Sequence, residues 1–273
     1  MTASVAAGLS GDSGWILTAA TLVVAGLLLV PGWIVGRSAR LAALPSLAVA
    51  PALSSAIIAA AEILAHTLAL PWLPWGWAVI AGLTAVVALM ARLLVGAPPE
   101  RARRAASQGR AEWVILAAGL TVAVAVPAGV ILSVLPGPGY PAQVFDATFH
   151  LNAVAAIREG GNASMLGGLS ALYSGRAVYY PTVWHGAVAL APGSPAPVST
   201  AGVLALTAVV WPLSLLGLLA RATGLDAARA SETDRARRRQ RTCAVAAVLA
   251  LSAAVVGFPL LPMTALAVWP YAL

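Results

Sequence analysis

The sequence predicts an all-α fold: a polytopic α-helical membrane protein of about six transmembrane helices, with a juxtamembrane helix in a large external loop. Three observations carry that expectation. The chain of 273 residues is 60% hydrophobic and 9% charged, with a mean hydropathy of +0.90, which lies outside the range of water-soluble domains. Several apolar runs exceed the roughly 20 residues that a helix needs to cross about 30 Å of hydrocarbon. The period-2 alternation of barrel strands is absent.

The first span is expected from about Trp15 to Val35, followed by Arg37 and Arg40. Asp12 and no basic residue precede it, the reverse of a secretory signal peptide. A long apolar stretch, 41–70, contains Pro45 and Pro51, which places its membrane-crossing part nearer the second half. PWLPWGW at 71–77 reads as a tight turn, with Trp72, Trp75 and Trp77 suited to the headgroup zone. The third span runs from about Ala78 to Val95 and the fourth from about Trp113 to Leu135. A loop at 136–197 precedes a fifth span, about Val198 to Ala220, and a sixth, about Cys243 to Leu261.

Charge sets the expected orientation. All 16 basic residues are arginines, and only Arg158 and Arg176 fall outside the segments at 37–40, 92–110 and 221–241. By the positive-inside rule those three segments are cytoplasmic, and the amino terminus and the 136–197 loop are outside. The net charge of +7 therefore reads as membrane topology, and no nucleic-acid partner is expected. The run RARRRQR at 235–241 serves as a topology signal that also attracts anionic lipid. Cys243 is the single cysteine, which rules out an intrachain disulfide and a cysteine-based zinc cluster. Two regions result: 1–112, with three spans and a basic cytoplasmic loop, and 113–273, with the external loop and spans four to six. The uncharged tail MTALAVWPYAL suggests the front part of a longer polytopic protein.

Chemistry is expected in the external loop. FDATFHLNAVAAIREGG at 145–161 has helical spacing and a glycine stop at Gly160 and Gly161. Asp146 and His150 are four residues apart, so carboxylate and imidazole share one face a turn apart. Such a pair suits a divalent ion, and the carboxylate could instead take a proton from an attacking hydroxyl. Equally, Asp146 caps the helix and His150 bonds to it. AVYYPTVWH at 177–185 gathers Tyr179, Tyr180, Trp184 and His185, suited either to ring-shaped ligands such as sugars or to the membrane interface. The intervening Gly- and Ser-rich segment reads as mobile, and its sequon, Asn162 to Ser164, carries no assigned function. Arg158 and Arg176 could clamp a phosphate, or Arg158 could simply face water. Within the second span, Glu62 and His66 stand four apart, as a self-contained pair or as a proton or ion relay.

The order of these features resembles the first external loop of GT-C superfamily glycosyltransferases, membrane enzymes that take sugars from polyprenyl-phosphate carriers. The matching features are Asp146 just past a span, the helix ending IREGGNAS at 157–164, and YYPTVWH at 179–185. They cover roughly residues 115–220, and the likeness is nearest to bacterial polytopic proteins with loops of the FDATFH and YYPTVWH type. The resemblance implies a glycosyltransferase, or its amino-terminal part, in the bacterial cytoplasmic membrane, using a polyprenyl-phosphate sugar donor on the non-cytoplasmic face. Asp146 would be the catalytic base or metal-binding carboxylate, with His150 assisting. Tyr179, Tyr180, Trp184, His185 and Arg176 would line the substrate site, and a divalent ion, Mg or Mn, would offset the phosphate charge. The alternatives are a non-catalytic membrane scaffold, or a transporter that uses Glu62 and His66.

Overall fold

The computed structural model describes residues 3–96, 109–134, 137, 140, 145–225 and 232–254. Its helices, in order, are α1 (Ala3–Ser38), α2 (Ala43–Thr67), α3 (Trp72–Leu94), α4 (Arg110–Val134), α5 (Phe145–Gly160), α6 (Val183–Ala189), α7 (Pro195–Leu204), α8 (Trp211–Ala222) and α9 (Glu232–Ser252). A π-helical segment, Ala205–Val210, joins α7 to α8 without a break. Among the described residues there is no strand, only an isolated antiparallel bridge between Leu166 and Tyr179. The protein is all-α, and five of its described helices are long and apolar enough to span a membrane: Gly14–Ser38, Ala43–Thr67, Trp72–Leu94, Arg110–Val134 and Pro195–Ala222. The expected sixth span begins within α9, and its remainder, 255–261, lies outside the described residues.

Two expectations about boundaries are corrected. PWLPWGW is no turn: Pro71 caps α3 in an extended conformation, and the helix starts at Trp72. Pro74 then falls in the first turn, where its missing N–H would have had no intrahelical partner. The second span also uses its full length, because Pro45 lies in the first turn of α2 and the helix continues through Pro51.

Close backbone approach holds α1 to α2. Pro31 interrupts the hydrogen-bond ladder of α1, and the next N–H, of Gly32, donates to Ser54 Oγ of α2 at 2.8 Å. A Cβ on Gly32 would stand 2.1 Å from the Ala50 carbonyl oxygen, so only glycine permits this crossing. Leu28, Ile58, Trp72, Ile157, Trp184 and Val198 share one large apolar cluster, which unites α1, α2 and α3 with α5, α6 and α7. A smaller cluster around Leu116, Leu216 and Leu249 joins α4, α8 and α9.

The two ends of the bundle are fastened separately. At one, Arg40 Nε of the α1–α2 connection donates to the Val95 carbonyl at 2.9 Å. At the other, the Trp72 amide donates to the Gly161 carbonyl at 2.7 Å, tying the start of α3 to the end of α5. The arginine run is not uniformly a surface signal. Arg238 is buried, pairs with Glu112 of α4 at 3.2 Å and donates through Nη2 to the Leu225 carbonyl at 2.7 Å.

Candidate functional site: two loop segments docked on a buried glutamate

α5 is amphipathic in the expected sense. Ala147, His150, Ala153, Val154 and Ile157 are buried at helical spacing against the large cluster. Asp146 stands in the first turn and is exposed, whereas His150 is 4% exposed. Helical spacing alone put both on one face; in the structure Asp146 is exposed, while Ala147 and His150 are buried in the core.

His150 faces inward onto α6. Its Nδ1 and the Nε2 of His185 lie 2.9 Å apart and share a hydrogen bond. Trp184, Tyr180 and Phe149 surround the two imidazoles, with the Phe149 and Tyr180 rings 5.1 Å apart and the Trp184 and His185 rings 5.1 Å apart. His185 is fully buried, and its pKa is lowered to about 3, first by loss of hydration and then by the neighbouring charge of His150. The Pro181 carbonyl favours a proton on His185 but does not offset those two effects, and Nδ1 of His185 makes no hydrogen bond of full geometry. His185 is accordingly neutral at physiological pH.

Thr182, immediately before α6, sits at the N-cap position, yet its hydroxyl makes no cap bond. It donates instead to Glu62 Oε2 at 2.9 Å. The other carboxylate oxygen of Glu62, buried in α2, has no hydrogen-bond partner and lies against Gly186. A Cβ at 186 would come within 2.0 Å of it, so the carboxylate fits only because residue 186 is glycine. Trp72 Nε1 completes the attachment by donating to the Gly186 carbonyl at 2.9 Å. α6 is thus held from three directions: by Glu62 of α2, Trp72 of α3 and His150 of α5.

The protein belongs to the family of unknown function DUF6541. The match covers residues 25–273 and therefore every site residue described. No curated protein and no solved structure matches the chain. The family carries no assigned function, so for this DUF6541 chain the side chains must supply the chemistry.

The remaining expected site residues are dispersed. His66 is exposed and does not meet Glu62; it lines a cavity of about 290 Å³ with Pro71, Gly161 and Asn162. The expected pairing within α2 is replaced by the bond from Glu62 to Thr182. Tyr179 is exposed and bridges to Leu166, while Arg176 borders a separate cavity of about 510 Å³ with Tyr173 and Val178. Arg158 is half-buried, and its guanidinium is already engaged by protein carbonyls. Its guanidinium donates to the carbonyls of Ala189 (3.1 Å), Ala191 (2.5 Å) and Gly193, bracing the chain after α6, and burial lowers its pKa.

The Gly- and Ser-rich segment expected to be mobile is folded into turns. Asn162 Oδ1 accepts the Ser164 amide at 2.9 Å, Gly168 donates to the Ser164 carbonyl at 2.7 Å, and a 3₁₀ turn covers Ser170–Tyr173. Among the described residues no group of three or more His, Cys, Asp or Glu side chains could hold a metal ion. Asp146 and His150, the candidate ligands, differ in depth as described above. Three site residues were missed from sequence: Thr182, Gly186 and Trp72. Thr182, placed before an apolar helical run, carried a legible cap signal; that its hydroxyl would turn to Glu62 was not legible.

Proposed function

We propose that the protein is a GT-C-like membrane glycosyltransferase that moves a sugar from a polyprenyl-phosphate donor on the non-cytoplasmic face of a bacterial plasma membrane. The observation that carries this reading is the 2.9 Å bond between His150 and His185. It joins the two segments that bear the resemblance, FDATFH and YYPTVWH, into one unit, while Asp146, Tyr179 and Arg176 remain exposed. The concentration of arginines in the segments at 37–40, 92–110 and 221–241 supports the proposed side of the membrane.

In the proposed reaction an acceptor hydroxyl attacks the anomeric carbon of the donor, and the bond from that carbon to the phosphate oxygen breaks. The lipid phosphate leaves with the bonding electrons. Asp146, accessible in the first turn of α5, accepts the hydroxyl proton. A divalent ion at Asp146 would supply charge compensation for the leaving phosphate. The buried imidazoles hold α5 and α6 in register and take no proton from the acceptor. The test is sugar transfer by membranes containing the protein, with a polyprenyl-phosphate sugar as donor. Transfer is expected to depend on a divalent ion and to be lost in Asp146→Asn; unchanged transfer in that variant removes Asp146 from the mechanism.

A second reading, an ion- or proton-coupled transporter, is favoured by one observation, the unpartnered oxygen of Glu62 inside a span. It predicts the opposite sensitivity: Glu62→Gln stops flux in proteoliposomes, and Asp146→Asn leaves it intact.

A further inference from the structure

An apolar groove of about 490 Å³ runs between α1 and α3, away from the loop site. On α1 it extends from Leu22 to Ile34 and on α3 from Trp77 to Ala85, lengths of roughly 12–18 Å at 1.5 Å per residue. Both helices are membrane spans, so the groove opens on hydrocarbon. The Thr84 hydroxyl is already satisfied by donating to the Ile80 carbonyl at 2.7 Å, and the one other polar group on the walls is the indole N–H of Trp77, at the end away from the arginines.

The length of the groove and its almost wholly apolar walls suit an extended hydrocarbon chain lying along the two helices.

Charge at one end selects the headgroup. Short connections join α1, α2 and α3, so α1 and α3 run in the same direction, and both carry a basic residue in the last turn: Arg37, three residues beyond Ile34, and Arg92, seven beyond Ala85. Both are exposed, and Arg40 lies just past them, bonded to the Val95 carbonyl. Cations at the edge of a span attract anionic headgroups, and the fork of an arginine matches a phosphate.

We infer that the α1–α3 groove is a binding site for one anionic phospholipid, with an acyl chain between Gly26 and Ala81 and its phosphate against Arg37 and Arg92. Because bilayer chains are as apolar as the groove, the chain alone gains little by entering it. Selectivity therefore rests on the arginines, and occupancy on close packing along the walls.

Gly26 supplies a test, since a Cβ there would meet nothing within 4 Å and a leucine would extend from it into the groove. The full chain, in nanodiscs of phosphatidylcholine and phosphatidylglycerol, is extracted into mild detergent and weighed intact by native mass spectrometry. The expected result is a retained phosphatidylglycerol that disappears in Gly26→Leu and falls roughly tenfold or more in the double variant Arg37→Gln/Arg92→Gln. Thermal unfolding of each variant checks that it folds. Equal retention of phosphatidylcholine, retention unaffected by Gly26→Leu, or no retained lipid in the unaltered protein would overturn the proposal.

Discussion

Thr182 and Glu62, separated by 120 residues, are joined by a buried hydrogen bond of 2.9 Å from the threonine hydroxyl to the carboxylate. The bond fastens the start of α6 to the last third of the second span, so the polar loop is docked into the bundle. One oxygen of that carboxylate is satisfied by Thr182, and the other, which has no hydrogen-bond partner, has room only because Gly186 lacks a side chain.

The first prediction concerns that accommodation. Gly186→Ala places a methyl group 2.0 Å from the position of Glu62 Oε1 and is expected to destabilise the protein by about 1–3 kcal/mol, the usual range for overpacking. Shortening the facing side chain removes the clash. In a double-mutant cycle followed by unfolding in detergent, Glu62→Ala/Gly186→Ala should lose less than the sum of the single changes; strict additivity would show that the two positions do not meet.

A pH dependence follows from His185. Its pKa falls from an ordinary 6.5 to about 3 in the folded protein, so between those values the unfolded chain binds a proton that the native state does not. Stability therefore rises with pH through this window and levels off above it, and is lost on acidification. Thermal unfolding at a series of pH values between 4 and 8 should show this slope, reduced in His185→Gln. A slope of the same size in that variant would assign it to other groups.

Arg158 is expected to behave as a brace. Arg158→Ala leaves the carbonyls of Ala189, Ala191 and Gly193 without their donor, and amide hydrogen exchange across 190–194 should accelerate. Arg158→Lys should rescue little, because a single ammonium cannot reproduce a planar fork that serves three acceptors. Full protection in the lysine variant would show that charge, and not geometry, holds the segment.

The arginine run offers a contrast within one stretch of sequence. Arg238 is buried against Glu112, whereas Arg237 and Arg239 are exposed. Arg238→Ala removes the charged partner of a half-buried carboxylate that still accepts the Gly109 amide and should cost about 1.5–3 kcal/mol, while Arg239→Ala should change stability by less than about 0.5 kcal/mol. Similar losses in the two variants would return the run to a uniform surface role.

Several of these features were legible in the sequence. The five described spans, the helix at 145–160 and its glycine stop follow from apolar run length and spacing, which are local properties of the chain. Other features depended on where distant segments meet. PWLPWGW looked like a turn because three tryptophans and two prolines favour an interface, yet Trp72 is buried and donates to Gly186. Glu62 looked paired with His66 because i to i+4 neighbours on a helix are close, yet Thr182 from a remote loop is its partner.

The sequence by itself determined that this chain is a helical membrane protein, because crossing hydrocarbon demands long apolar helices whatever their neighbours. It also singled out Asp146, His150, His185 and Glu62 as the polar groups to explain. Only the tertiary structure decided that His150 bonds to His185 and Glu62 to Thr182, and that Asp146 stays exposed. Buried polar groups take whichever partner packing brings within about 3 Å, and spacing along one helix does not contain that information.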